Sequence, residues 1–103
     1  MPAPIACNLS AISPAYRLRY KLLAKQVLSA VMGHTELPSG YQYQLNSKLV
    51  SLAECAEWIS LERLCCPFLT LQLTVTGEQP NWLLTLTGPD GTKPLLDAEF
   101  PLP

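Results

Sequence analysis

Between Phe68 and Thr76 the chain alternates strictly, with Leu69, Leu71, Leu73 and Val75 on one side and Thr70, Gln72, Thr74 and Thr76 on the other. A period of two is the signature of a strand with one face buried and the other in water. Gly77-Glu78-Gln79-Pro80-Asn81 breaks the run, and Trp82 to Thr87 returns as a partner strand. The pattern is that of a hairpin. Its apolar face needs a covering layer, so the fold must be a sheet packed against something else.

Helices supply that layer. Ser13-Pro14 is a helix start, with Ser at the N-cap and Pro at the first helical position. From Ala15 to Met32, apolar residues recur at helical spacing (Tyr16, Tyr20, Leu23, Val27, Val31), and Gly33 suits the C-terminal cap. Arg17, Lys21 and Lys25 form a stripe beside that face, read as a solvated surface. Leu37-Pro38-Ser39-Gly40 is a turn, and Tyr41 to Leu45 alternates as a half-buried strand. Ser51-Leu52-Ala53-Glu54 has capping-box spacing, so a second helix starts there. It ends at about Cys65, because Pro67 pushes Cys66 out of the helical region. After Gly88-Pro89-Asp90-Gly91, a short helix from about Thr92 to Phe100 closes the chain. The expectation is one α+β domain over residues 1–103, in two layers. A small, mostly antiparallel three-stranded sheet carries helices on one face, in the order α-β-α-β-β-α.

Composition narrows the function. The formal net charge of -1 argues against an electrostatic nucleic-acid binder. No apolar run approaches the ~18 residues of a membrane span. Met1 to Ile12 has no basic region ahead of its short apolar stretch, so it does not read as a signal peptide, and a cytoplasmic location is expected. Charged residues make up only 15% of the chain, against ~25% in typical domains. That deficit points to apolar surface covered by a partner, most simply a second copy in a homo-oligomer.

The chemistry is concentrated in Glu62-Arg63-Leu64-Cys65-Cys66-Pro67-Phe68. A disulfide between neighbouring cysteines is strained and closes almost no loop. A vicinal pair instead offers two soft sulfurs to one thiophilic centre, or cycles between dithiol and disulfide. Winding residues 52–66 at about 100° per residue brings Cys55, Glu62 and Cys66 within roughly 20° of one line. Leu52, Trp58 and Ile59 flank that line, while Glu54, Glu57, Ser60 and Arg63 face the other way. Glu62 is therefore a carboxylate on an apolar stripe, where it must be protonated, hydrogen-bonded or facing a cation. Three readings of the cysteines stand at this point. The pair binds Hg(II), As(III), Zn(II) or Cu(I) with a third ligand drawn from Cys7, Cys55, His34 or Glu62. Alternatively it is a redox dithiol, although its place near a helix C-terminus disfavours thiolate. In the third reading the cysteines are buried fillers. His34, the single histidine, reads as a helix-end or loop residue, and Trp58 and Trp82 as core.

The segments Ile5-Ala6-Cys7-Asn8-Leu9, Glu62 to Phe68 and Trp82 to Pro89 together carry a resemblance. The chain resembles small bacterial domains that have an early Cys followed by a Leu, then a helix, a strand and Glu-x-x-Cys-Cys-(Pro or Ala)-Phe. Such domains stand alone or accompany regulators of the mercury-resistance type. The resemblance implies heavy-metal handling and picks out Cys7, Glu62, Cys65 and Cys66. Cys55 lies outside the motif and becomes a core residue.

The expected function is that of a small thiol protein holding a soft metal or metalloid through Cys7, Cys65 and Cys66, with Glu62 as proton acceptor or weak ligand. The alternative is a dimeric interaction domain whose cysteines are packing residues. A cysteine-dependent enzyme using Glu62 as base is the third class.

Overall fold

The alternating run and its return strand form the expected hairpin. β3 (Thr70–Thr74) pairs antiparallel with β4 (Trp82–Thr87), setting Leu71 opposite Leu86 and Leu73 opposite Leu84. This is seen in a computed structural model that describes residues 5–101. On the other side of β4 runs β2 (Gly40–Leu45), with Tyr41 opposite Leu86, Tyr43 opposite Leu84 and Leu45 opposite Trp82. β1 (Val31–Leu37) pairs with β2 and completes a four-stranded antiparallel sheet in the order β1-β2-β4-β3.

The register decides which face is buried. Tyr43, Leu45, Leu84 and Leu86 share one side with half-buried Tyr41, Leu71 and Leu73. They pack against Leu23 and Val27 of α1 (Pro14–Ser29), Trp58 of α2 (Leu52–Cys65) and Leu96 of α3 (Thr92–Glu99). The opposite face is polar, and there Gln42 Nε2 donates to Thr85 Oγ1 at 3.3 Å. At Gly40 the backbone of β4 leaves no room for a side chain, and a Cβ there would collide with the Leu86 carbonyl oxygen. The capping box of α2 is formed in both directions: Glu54 N donates to Ser51 Oγ at 3.0 Å, and Ser51 N to Glu54 Oε1 at 2.9 Å. Among the described residues no helix is long and apolar enough to cross a membrane.

The sheet has four strands, where the sequence suggested three. The observed order of helices and strands is α-β-β-α-β-β-α, preceded by a short 3-10 turn at Leu9–Ala11. The expected first helix was too long. α1 stops at Ser29, and Val31 already pairs with Leu45. Val31 follows Val27 at the i+4 spacing of a helix stripe, which made it read as helical. In the fold, pairing with β2 gives this segment backbone partners along one side and overrides its local propensity. Gly33 sits in the strand beside a register irregularity rather than at a helix end. Tyr16, expected on the inner stripe, is exposed. Ser13 occupies the N-cap position without making a side-chain capping bond.

Candidate metal centre

The inner stripe of α2 delivers the chemistry. Cys55, Trp58, Glu62 and Cys65 are all buried, spaced three, four and three residues apart along one helical face. Glu57 is on the outside, where Arg19 donates to both of its carboxylate oxygens at 2.9 and 2.7 Å. At the helix end Cys66 leaves helical geometry, with φ -124 and ψ 71. Pro67 is the reason, because its ring disfavours the helical region for the residue before it. The Cys66 N–H still donates to the Glu62 carbonyl at 2.8 Å. The turn keeps the second cysteine inside, so Cys65 and Cys66 are both buried, at 3% and 1% exposure.

Cys7 arrives from the N-terminal segment, held there by bonds that do not involve its sulfur. The Asn8 N–H donates to the Cys65 carbonyl at 2.7 Å. The Asn8 side chain caps the 3-10 turn by accepting from Ser10 N at 3.1 Å. Ile12 is fully buried against the two cysteines, and Arg17 Nε donates to its carbonyl at 2.9 Å. Cys7 and Cys66 are joined as a disulfide, with Cα atoms 4.5 Å apart across 59 residues. The ligand atoms of Cys7, Glu62, Cys65 and Cys66 all lie within 4.8 Å of one another. This cluster could hold a metal ion once its thiols are free.

Glu62 sits at the middle of the cluster. Its Oε1 is 2.7 Å from Cys66 Sγ, and its Oε2 accepts from the Tyr20 hydroxyl at 2.9 Å. Burial pushes the Glu62 carboxyl up to about 7, helped by the charge of Glu99 and opposed by the Tyr20 bond. The Cys65 thiol is also raised, first by burial and then by the charges of Glu62 and Glu99, while Tyr20 and the Asn8 N–H pull the other way. Burial and Glu62 push the Tyr20 hydroxyl up as well, so it remains a donor. In the disulfide, Cys66 has no proton, and a protonated Glu62 is the group that donates across the contact. In the dithiol, the Cys66 thiol donates and the carboxylate accepts.

The four residues singled out in the sequence meet in space. Cys55 lies apart in the main core, its thiol pushed by burial up to about 11. His34 belongs to β1 rather than to a helix end and takes no part in the cluster. Tyr20 and Glu99 were missed. Tyr20 was read only as an apolar stripe member; the signal lay in Glu62, since a buried carboxyl requires a donor from a facing element. Comparison with protein-family models, with curated proteins and with solved structures returned no match.

Proposed function

We propose that this chain binds a thiophilic cation, Hg(II), Zn(II), As(III) or Cu(I), through Cys7, Cys65 and Cys66, with Glu62 taking up thiol protons and serving as a weaker oxygen ligand. The observation that carries the reading is the mutual approach of four donor atoms within 4.8 Å. Metal–sulfur bonds of about 2.3 Å place two thiolates of a tetrahedral site ~3.8 Å apart, so small side-chain movements suffice. The electrostatics also favour a cation. Glu62 and Glu99 disfavour free thiolate at Cys65, which makes it a poor nucleophile, yet both carboxylates attract an ion that displaces the protons. The segment that carries Cys7 is also tied to the pair by the Asn8 N–H to the Cys65 carbonyl, a bond that does not involve sulfur. The likeness to domains that accompany mercury-resistance-type regulators supports the same task.

The test is equilibrium titration of the fully reduced protein with Hg(II), Zn(II) and As(III). Cys65→Ser/Cys66→Ser should abolish tight binding, whereas Cys55→Ser should leave it unchanged. Equal affinity in wild type and the double variant would end the metal reading.

The Cys7–Cys66 bond favours a second reading, a thiol switch. Here a disulfide oxidant such as oxidised glutathione takes two electrons and two protons from Cys7 and Cys66, leaving their disulfide and two reduced glutathiones. Counting free thiols in defined glutathione buffers measures this couple. Self-association is a separate matter: Leu18 and Leu22 project from α1 with 69% and 54% of their surface exposed. A second copy covering that face would be seen by sedimentation.

A further inference from the structure

Away from the thiols, β1, β2 and α3 with the residues that follow it line a half-open cavity of about 320 Å³. It is lined by His34, Tyr41, Tyr43, Asp97, Phe100 and Pro101, none of them shared with the cysteine cluster. Its walls are largely aromatic. Tyr43 and Phe100 stack with centroids 5.3 Å apart, Tyr41 is 5.9 Å from Tyr43, and His34 meets Tyr41 edge-on at 5.6 Å. Asp97 stands beside them, its Oδ1 accepting from the Tyr41 hydroxyl at 2.8 Å.

Two polar groups are left over. Asp97 is exposed, and its Oδ2 is free of protein partners among the described residues. The Tyr43 ring is buried, while its hydroxyl, which makes no hydrogen bond among the described residues, reaches the solvent-accessible space of the pocket. Burial keeps the Tyr43 hydroxyl protonated, so it presents a neutral oxygen to the cavity. The nearby cation, Lys93, is taken by Glu36 at 2.8 Å and lies 5.9 Å over the Tyr41 ring.

We infer that this cavity binds a small organic cation, an alkylated ammonium whose substituents contact Tyr41, Tyr43 and Phe100 and whose charge faces Asp97. Ring faces carry negative potential and attract cations, and the carboxylate adds to that field. An anion would meet repulsion from both. An uncharged hydrocarbon would gain nothing from Asp97. The volume is at the lower end of small-molecule sites, which start near ~300 Å³, and so suits a compact ligand.

The experiment is NMR titration of the full chain with choline chloride, alongside its uncharged carbon isostere. Choline should give saturable shifts at Tyr43 and Phe100, and the isostere should bind about tenfold more weakly. Asp97→Asn, on an exposed helix position, should weaken choline about fivefold and leave the isostere unchanged. Tyr41→Leu should weaken choline too, which keeps the test alive if one variant misfolds. Equal affinity for choline and isostere, insensitivity to Asp97→Asn, or shifts confined to other residues would overturn the inference.

Discussion

Glu62 Oε1 stands 2.7 Å from Cys66 Sγ, one helical turn further along the same chain. This contact ties the protonation of a buried carboxyl to the chemical state of a sulfur. When Cys66 is a thiol, the carboxylate is next to the proton that must leave before the sulfur can bind a cation. When Cys66 is in a disulfide, the same carboxyl has only a weak sulfur acceptor on that side and prefers its acid form. The raised Glu62 value follows first from burial, with the charge of Glu99 adding to it and the Tyr20 bond opposing it.

Glu62→Gln should make the oxidised protein less sensitive to pH. A carboxyl raised from 4.5 to about 7 holds its proton more tightly in the folded chain. Its stabilising contribution is complete below the unfolded value and is lost as pH climbs through about 7. The loss is on the order of 3 kcal/mol across that window. Gln keeps an acceptor for Tyr20 but cannot ionise. Urea unfolding at pH 5 and pH 8 measures the difference, and a Glu62→Gln slope equal to wild type would refute the buried carboxyl.

Cutting the Cys7–Cys66 bond should cost stability without dispersing the cluster. A crosslink spanning 59 residues removes loop entropy worth about 4 kcal/mol from the unfolded chain. Cys7→Ser should therefore unfold like reduced wild type, and reductant should have no effect on it. Ile12 and the Asn8–Cys65 backbone bond still anchor the segment. If reductant leaves the urea midpoint of wild type unmoved, the crosslink does not form in solution.

Much of this site could be read in the sequence because its constraints are local. Helical spacing placed Glu62 on the inner stripe, and Pro67 placed the helix end. Cys7 was one of four candidate third ligands until the resemblance picked it out, since nothing in the spacing of residues far apart says that they meet. The fold shows the same divide. Strands with their own alternation, at Tyr41 to Leu45 and within Phe68 to Thr76, were recognisable, and Trp82 to Thr87 followed as the return strand of a hairpin. β1 was not, because Met32-Gly33-His34-Thr35 has no apolar period and becomes a strand only by pairing with β2. Glu99 affects Cys65 and Glu62 from the end of α3, a tertiary placement with no sequence signal.

Gly40→Ala should destabilise the sheet even though Ala is a modest change. The added methyl would be driven into the Leu86 carbonyl oxygen, which is backbone and cannot swing aside. Relief requires β2 and β4 to separate locally, at a cost of roughly 1–3 kcal/mol. Gly77→Ala is the control, because nothing lies within 4 Å of a Cβ there. Similar unfolding midpoints for the two variants would contradict the close approach.

Tyr20→Phe separates the hydrogen bond from the packing, since the ring is kept and only the donor is lost. The Tyr20 bond holds the Glu62 carboxyl down against burial, so its removal should move that carboxyl above about 7. The energetic effect should itself depend on pH. At pH 5 the bond is to a neutral acid, worth about 1 kcal/mol; at pH 8 it is to a carboxylate, worth about 1.5–3 kcal/mol. A double-mutant cycle of Tyr20→Phe with Glu62→Gln at both pH values isolates the pair. The coupling should grow with pH, and a second readout should move with it: Cys65 loses a donor that lowers its pKa, so alkylation of its thiol in reduced protein should shift to higher pH. A coupling that is equal at pH 5 and pH 8, with unchanged alkylation, would mean that Tyr20 only fills space beside the cluster.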